Sequence, residues 1–150
     1  MKKSTLLIII LLVLVIAAVS FLLWRNARLE LFCLPFEAGE IESVTVSSVW
    51  NEYKLIRDEA GIRAVTDLLN KLRLYPNSAD VRKDLPAGSY GYEILFKAKD
   101  GLEYTYSVIP LGANTSVFTD ASGSVHKARG ISADRFWNRL DYEIQTKTFD

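Results

Sequence analysis

The stretch SYGYEILFKAKDGLEYTYSVIP (residues 89–110) has alternating large apolar residues on both sides of Lys99-Asp100-Gly101. Two strands joined by a tight turn are implied, and the turn length decides which faces the side chains occupy. A two-residue turn at Asp100-Gly101 would set Lys97 opposite Tyr104 and Leu95 opposite Tyr106, splitting the apolar groups between both faces. A three-residue turn, with Gly101 left-handed in a bulge, sets Phe96 opposite Tyr104, Ile94 opposite Tyr106 and Tyr92 opposite Val108. Ala98 then faces Leu102, and Lys97 meets Glu103 on the other side as an opposite-charge pair. A slip of one residue moves a whole apolar face into water, so the three-residue turn is expected.

The same reading extends outward. IESVTVSSV (41–49) is rich in β-branched residues and reads as a strand, turning at Trp50-Asn51-Glu52 into Tyr53–Ile56. Asp58 then stands as a helix N-cap. Ile62, Val65, Leu68, Leu69 and Leu72 follow at helical spacing, until Pro76 takes Leu74-Tyr75 out of helical geometry. Beyond the polar loop 76–89 and the hairpin come two short strands, 116–119 and 124–127, joined by Asp120-Ala121-Ser122-Gly123. A last helix is expected from Ser132, with Asp134 in its first turn and Phe136, Trp137, Leu140 and Ile144 as its buried stripe. The order is ββαββββα. It predicts an α+β two-layer domain, an antiparallel sheet with two helices on one face.

Before this domain the chain begins MKKST and continues LLIIILLVLVIAAVSFLLW, in which only Ser20 is not apolar. A helix of that length reaches roughly 28 Å, close to the roughly 30 Å hydrocarbon core of a bilayer, and has no polar stripe to turn toward water. A buried core helix would be shorter and amphipathic. A cleaved signal peptide would use Ala18-Val19-Ser20, but Phe21-Leu22-Leu23-Trp24 continues the apolar run past that point. The expected organisation is a cytoplasmic tail (1–5), a signal-anchor transmembrane helix (6–24), a juxtamembrane stalk (25–40) and an extracytoplasmic domain (41–150). Lys2, Lys3, Trp24, Arg25 and Arg28 are the membrane-interface residues. The basic tail is expected in the cytoplasm and the C-terminal domain outside it, so the protein is read as a single-pass cell-membrane protein. The lipid bilayer is its first partner, through residues 6–24.

Composition narrows the rest. Of 18 basic residues two precede the span, which leaves 16 against 18 acids in the remainder, a net charge of about −2 with mixed signs. There is no basic stripe, so the electrostatic footprint of nucleic-acid binding is missing. Cys33 is the only cysteine, which rules out an internal disulfide, and the bulky Leu31-Phe32 before it does not fit a lipobox. Asn114-Thr115-Ser116 is a formal glycosylation triplet.

His126 is the only histidine, so any Ser/His/Asp triad or zinc site would have to use it. No H-x-x-x-H, C-x-x-C, G-x-S-x-G, phosphate loop or calcium loop is present, and no catalytic, cofactor or metal residues are assigned. Strand alternation sets His126 on the solvent face near Asp120. Tyr92, Tyr104 and Tyr106 are read as core, and Tyr90 and Trp50, at element ends, as exposed. Within 76–89, residues Val81, Arg82, Lys83, Asp84 and Leu85 form the candidate partner-binding loop.

With its basic start, one span, PFEAGEIESVTV (35–46), an amphipathic helix and a Lys-Asp-Gly hairpin, the chain resembles small uncharacterised membrane-tethered or lipoprotein domains of Gram-positive bacteria. The similarity covers residues 35–145 and implies location and fold, not an activity. The missing lipobox at Cys33 departs from the lipoprotein members. The function expected is an anchored, non-enzymatic domain that binds or senses a protein or envelope component. Its rivals are an envelope hydrolase using His126 and a structural subunit of a membrane complex.

Overall fold

Gly101 adopts φ 89° and closes the central hairpin through Gly101 N–H to Ala98 O (3.0 Å), with Ala98 N–H donating to Leu102 O (2.8 Å). The strands it joins in this computed structural model pair Tyr92 with Val108, Ile94 with Tyr106, Phe96 with Tyr104 and Lys97 with Glu103. This is the register of the three-residue turn. Ile94 and Phe96 are fully buried and Tyr106 nearly so, while Lys97 and Glu103 are exposed on the far side. The structure describes residues 3–76, 81–112, 114–131, 137–143 and 145–146.

Around this hairpin, formed by β5 (Tyr92–Ala98) and β6 (Glu103–Gly112), lie β7 (Thr115–Thr119), β8 (Val125–Arg129), β2 (Ile41–Ser48) and β3 (Glu52–Ile56). Short pieces complete the sheet: β1 (Glu30–Leu31), β4 (Arg73–Leu74) and β9 (Gln145–Thr146). The order is β1-β4-β8-β7-β6-β5-β2-β3-β9, and the pairs from β4 to β9 are antiparallel. The fold is α+β with an apolar N-terminal helix. The three two-residue strands were not anticipated, because two residues carry no periodicity.

One face of the sheet is the core face. Val44, Val46, Ile56, Ile94, Phe96, Tyr106, Val108 and Phe118 point into it. Helix α2 (Glu59–Asn70) covers part of this face with Ile62, Val65 and Leu69. Asp58 is its N-cap, accepting Gly61 N–H at 2.8 Å. The helix ends at Asn70, before Pro76 is reached, and Leu74 is already in β4, paired with Ala128.

Two further segments complete the cover. Residues 31–40, expected to be a stalk, belong to the compact unit Leu31–Asp150. Phe32 packs edge-on against Phe118 (centroids 4.8 Å), and Phe36 lies 5.0 Å from Phe96 and 4.8 Å from Tyr104. The apolar residues of this segment recur at positions 32, 34 and 36, as an extended chain lying on a sheet requires. At the other side Trp137 stacks on Tyr92 (5.2 Å, 16°); residues 137–139 are helical, and Leu140, expected in the stripe of the last helix, is buried but lies beyond the helical residues. Ser132, Asp134, Phe136 and Ile144 of the expected last helix lie outside the described residues.

The N-terminal unit, Met1–Glu30, is α1 (Lys3–Ala27) and the residues after it. Every described side chain from Leu6 to Trp24 is exposed, on all faces of the helix. Arg25 stands in its last turn, where a cation complements the carbonyl end of the helix dipole. The Arg28 guanidinium lies 3.8 Å from the Trp24 ring centroid. Lys2 lies outside the described residues, and Lys3 opens the helix.

Candidate functional site

The turn between β7 and β8 gathers the polar residues most suggestive of chemistry. Asp120 organises it. Its Oδ1 accepts from Ser122 N–H (2.9 Å), Ser122 Oγ (2.5 Å) and Ser124 N–H (3.0 Å), and its Oδ2 lies 3.0 Å from His126 Nε2. Gly123 at φ 84° lets the chain reverse. Partial burial pushes the Asp120 carboxyl upward, but the hydrogen bonds from Ser122, His126 and Ser124 outweigh it and hold the group below its ordinary value. The same negative charge, after burial itself, helps push the Tyr106 phenol up to about 12.

His126 is not on the solvent face as expected. It pairs with Phe118, whose side chain is in the core, so register sets it on the helix-covered face at the sheet's margin, half-buried. A serine hydrolase needs its serine and its carboxylate on opposite nitrogens of one imidazole. Here both serines are engaged elsewhere, Ser122 Oγ on Asp120 and on Ser124 Oγ (2.9 Å). Among the described residues no serine hydroxyl is hydrogen-bonded to His126. The arrangement is an Asx-type turn that also holds a histidine. Nor do the described residues contain three His, Cys, Asp or Glu side chains grouped to hold a metal ion.

A second polar cluster ties down the C-terminal segment. Lys54, paired with Val46 in the sheet, is only 6% exposed. Its Nζ donates to Trp137 O (3.0 Å) and Leu140 O (2.5 Å) and lies 4.7 Å from the Trp137 ring centroid. A buried ammonium is stable only when its protons are taken, and two carbonyls and an indole face take them. Nearby, Tyr142 Oη donates to Asp58 Oδ1 at 2.7 Å. That bond, with the Gly61 N–H, lowers the Asp58 carboxyl, while burial and then Asp58 push the Tyr142 phenol up to about 12. Sequence reading missed this cluster: its members lie more than eighty residues apart, as Lys54 to Leu140 (|i−j| of 86) illustrates.

The candidate partner-binding loop is partly engaged with its own domain. Val81 is buried, and the short turn Val81–Asp84 lies against β8. Lys83 is exposed and Leu85 half-buried, whereas the side chains of Arg82 and Asp84 lie outside the described positions. Cys33 is exposed. Trp50 is 72% exposed and Tyr90 46%, at element ends as expected. Compared with family models, curated proteins and solved structures, the chain finds no match.

Proposed function

We infer that this chain is a single-pass membrane protein displaying a binding or sensing domain, without catalytic activity of its own, outside the cytoplasm. The observation that carries the reading is the 22-residue stretch Ser4–Arg25 within one helix, apolar on every side, with no part of it buried by protein. Side chains of that kind are stable in hydrocarbon and costly in water. The run continues through Phe21–Trp24 without a break, which favours retention over cleavage. The reading includes the ββαββββα order for the longer elements.

Binding is favoured over hydrolysis by the Asp120 turn, where the serines serve the carboxylate rather than the histidine. Sheet edges remain for strand addition by an extended partner segment. Among the described residues, β9 pairs with only Glu52 and Tyr53 of β3.

A membrane preparation tests this. After an alkaline carbonate wash the protein should stay in the pellet, with an intact N-terminal mass. A C-terminal alkaline phosphatase fusion should be active. Recovery of the soluble domain without its first twenty-odd residues, or a reporter reachable only from the cytosol, would overturn the reading.

A further inference from the structure

The domain has two ends, defined by which way its strands run. At one end lie the turns at Lys99–Gly101 and Asp120–Gly123. At the other, register brings together the end of β8 and the start of β4 (Arg129 with Arg73), the start of β7 and the end of β6 (Thr115 with Gly112), and the end of β2 and the start of β5 (Ser48 with Tyr92). The chain enters the domain at this second end. Phe32 N–H donates to Leu72 O at 2.9 Å, which sets the first residues of the domain beside the start of β4, and the segment runs on to Glu40, whose carbonyl accepts Lys99 N–H.

The same end carries apolar side chains that the fold does not use. Trp50, in the turn after β2, and Tyr90, just before β5, each lie two residues along the chain from the Ser48–Tyr92 pair. Trp50 is the most exposed large apolar residue described in the domain, Val49 beside it is 58% exposed, and Leu31 is 59% exposed. The turn itself does not need an indole. Asn51 takes the left-handed conformation (φ 60°), and Trp50 contributes its backbone N–H to Ser48 Oγ (3.2 Å). Lys71 and Arg73 are exposed beside the entry point. From there to β2 is five strand spacings, about 24 Å, so these groups form one long rim rather than a point. Trp and Tyr are the residue types whose apolar body and polar tip suit the headgroup layer, and Lys and Arg suit anionic lipid.

We propose that this rim is a second membrane contact, with Val49, Trp50 and Tyr90 seated in the lipid interface and Lys71 and Arg73 over anionic headgroups. This rests on the reading of α1 as an anchor. Only six residue steps separate Arg25 from Leu31, so the extended chain keeps the entry point within about 20 Å of the bilayer surface. A tether that short makes contact of the rim with lipid effectively intramolecular. Glu52 follows closely on Trp50, so the aromatic corner is held by apolar insertion and the basic corner by charge.

The test uses the full-length protein in vesicles of phosphatidylcholine and phosphatidylglycerol containing bromine-labelled lipid. In the variant W24F/W137F, Trp50 is the sole reporter, and in W50F/W137F it is Trp24. Trp50 emission should fall by about half with bromine carried near the headgroups, since interfacial indoles sit at that depth, and less with bromine near the chain ends. Because W137F could perturb the stack on Tyr92, a second measurement leaves Trp137 in place. With Cys33→Ser, a polarity-sensitive dye at Trp50→Cys should shift to shorter wavelength in vesicles, and the same dye at Leu102→Cys should not. If Trp24 is quenched while Trp50 is not and its dye stays aqueous, the rim contact is wrong and the anchor stands. If Trp24 too is unquenched, the anchor reading itself fails. Trp50 shielded from both lipid and iodide as concentration rises would assign the rim to a second copy of the chain and overturn the proposal.

Discussion

Ser116 is fully buried, and its hydroxyl has no hydrogen-bond partner among the described residues. It lies on the core face of β7, opposite Ala128 and between Phe118 and the strand's start. A buried hydroxyl without a partner loses its water and gains nothing in return. Ser116→Ala should therefore raise stability by about 1 kcal/mol, the reverse of the usual sign for a core substitution. Thermal or denaturant unfolding checks this, and a destabilised variant would mean the hydroxyl is satisfied. Lys54 is the opposite case, a buried charge fully met by two carbonyls and an indole. Alternation in EYKLI makes Lys54 share a face with Ile56, and the sequence offers no reason why that face should tolerate an ammonium. The reason is a pair of carbonyls more than eighty residues away.

At the scale of the element, α2 and the C-terminal segment are fitted together at Gly61. A methyl group there would strike Tyr142 Oη and come within 2.6 Å of Ile56 Cγ2. Glycine to alanine inside a helix ordinarily stabilises by about 1 kcal/mol. Here Gly61→Ala should instead cost about 1–3 kcal/mol by overpacking, and part of that loss should vanish in the double variant with Tyr142→Ala. A double-mutant cycle on unfolding free energies measures this, and simple additivity would contradict the fitted contact. The elements themselves were largely readable. Phe96–Tyr104 and Lys97–Glu103 followed from refusing to split the tyrosines between two faces, and Asp58 from its position before an apolar stripe. The boundary at residue 40 is blurred in the sequence because Leu34-Pro35-Phe36 carries turn signals and core residues together; Leu34 and Phe36 already suggest a segment resting on the domain, and the compact unit begins at Leu31. His126 differs because alternation only sets it opposite Val125, and without the partner strand it does not say which of the two faces is covered; the pairing with Phe118 does.

For the whole molecule, the titrating groups set the pH range of the fold. Tyr142 and Tyr106 have folded values raised to about 12. A raised value means the native state holds the proton more tightly, so this stabilisation is complete below the unfolded value of about 10 and is lost as pH climbs toward 12. Asp58 and Asp120 are lowered, so their contribution is present above the ordinary carboxylate value of about 4 and is lost as pH falls below it. Midpoints measured across pH should fall at both extremes, with the alkaline fall blunted in Tyr142→Phe. An alkaline limb unchanged in that variant would remove Tyr142 from the account. The strand order has one further consequence. β2 lies between β3, which follows it at once, and β5, which comes only after α2 and the long loop. As the chain emerges N-terminus first, the β2–β3 hairpin can close early, but one flank of β2 stays unpaired until Tyr92–Ala98 arrives. That interval during biosynthesis is when an extended stranger, a chaperone or a neighbouring nascent copy, meets the least resistance to pairing there.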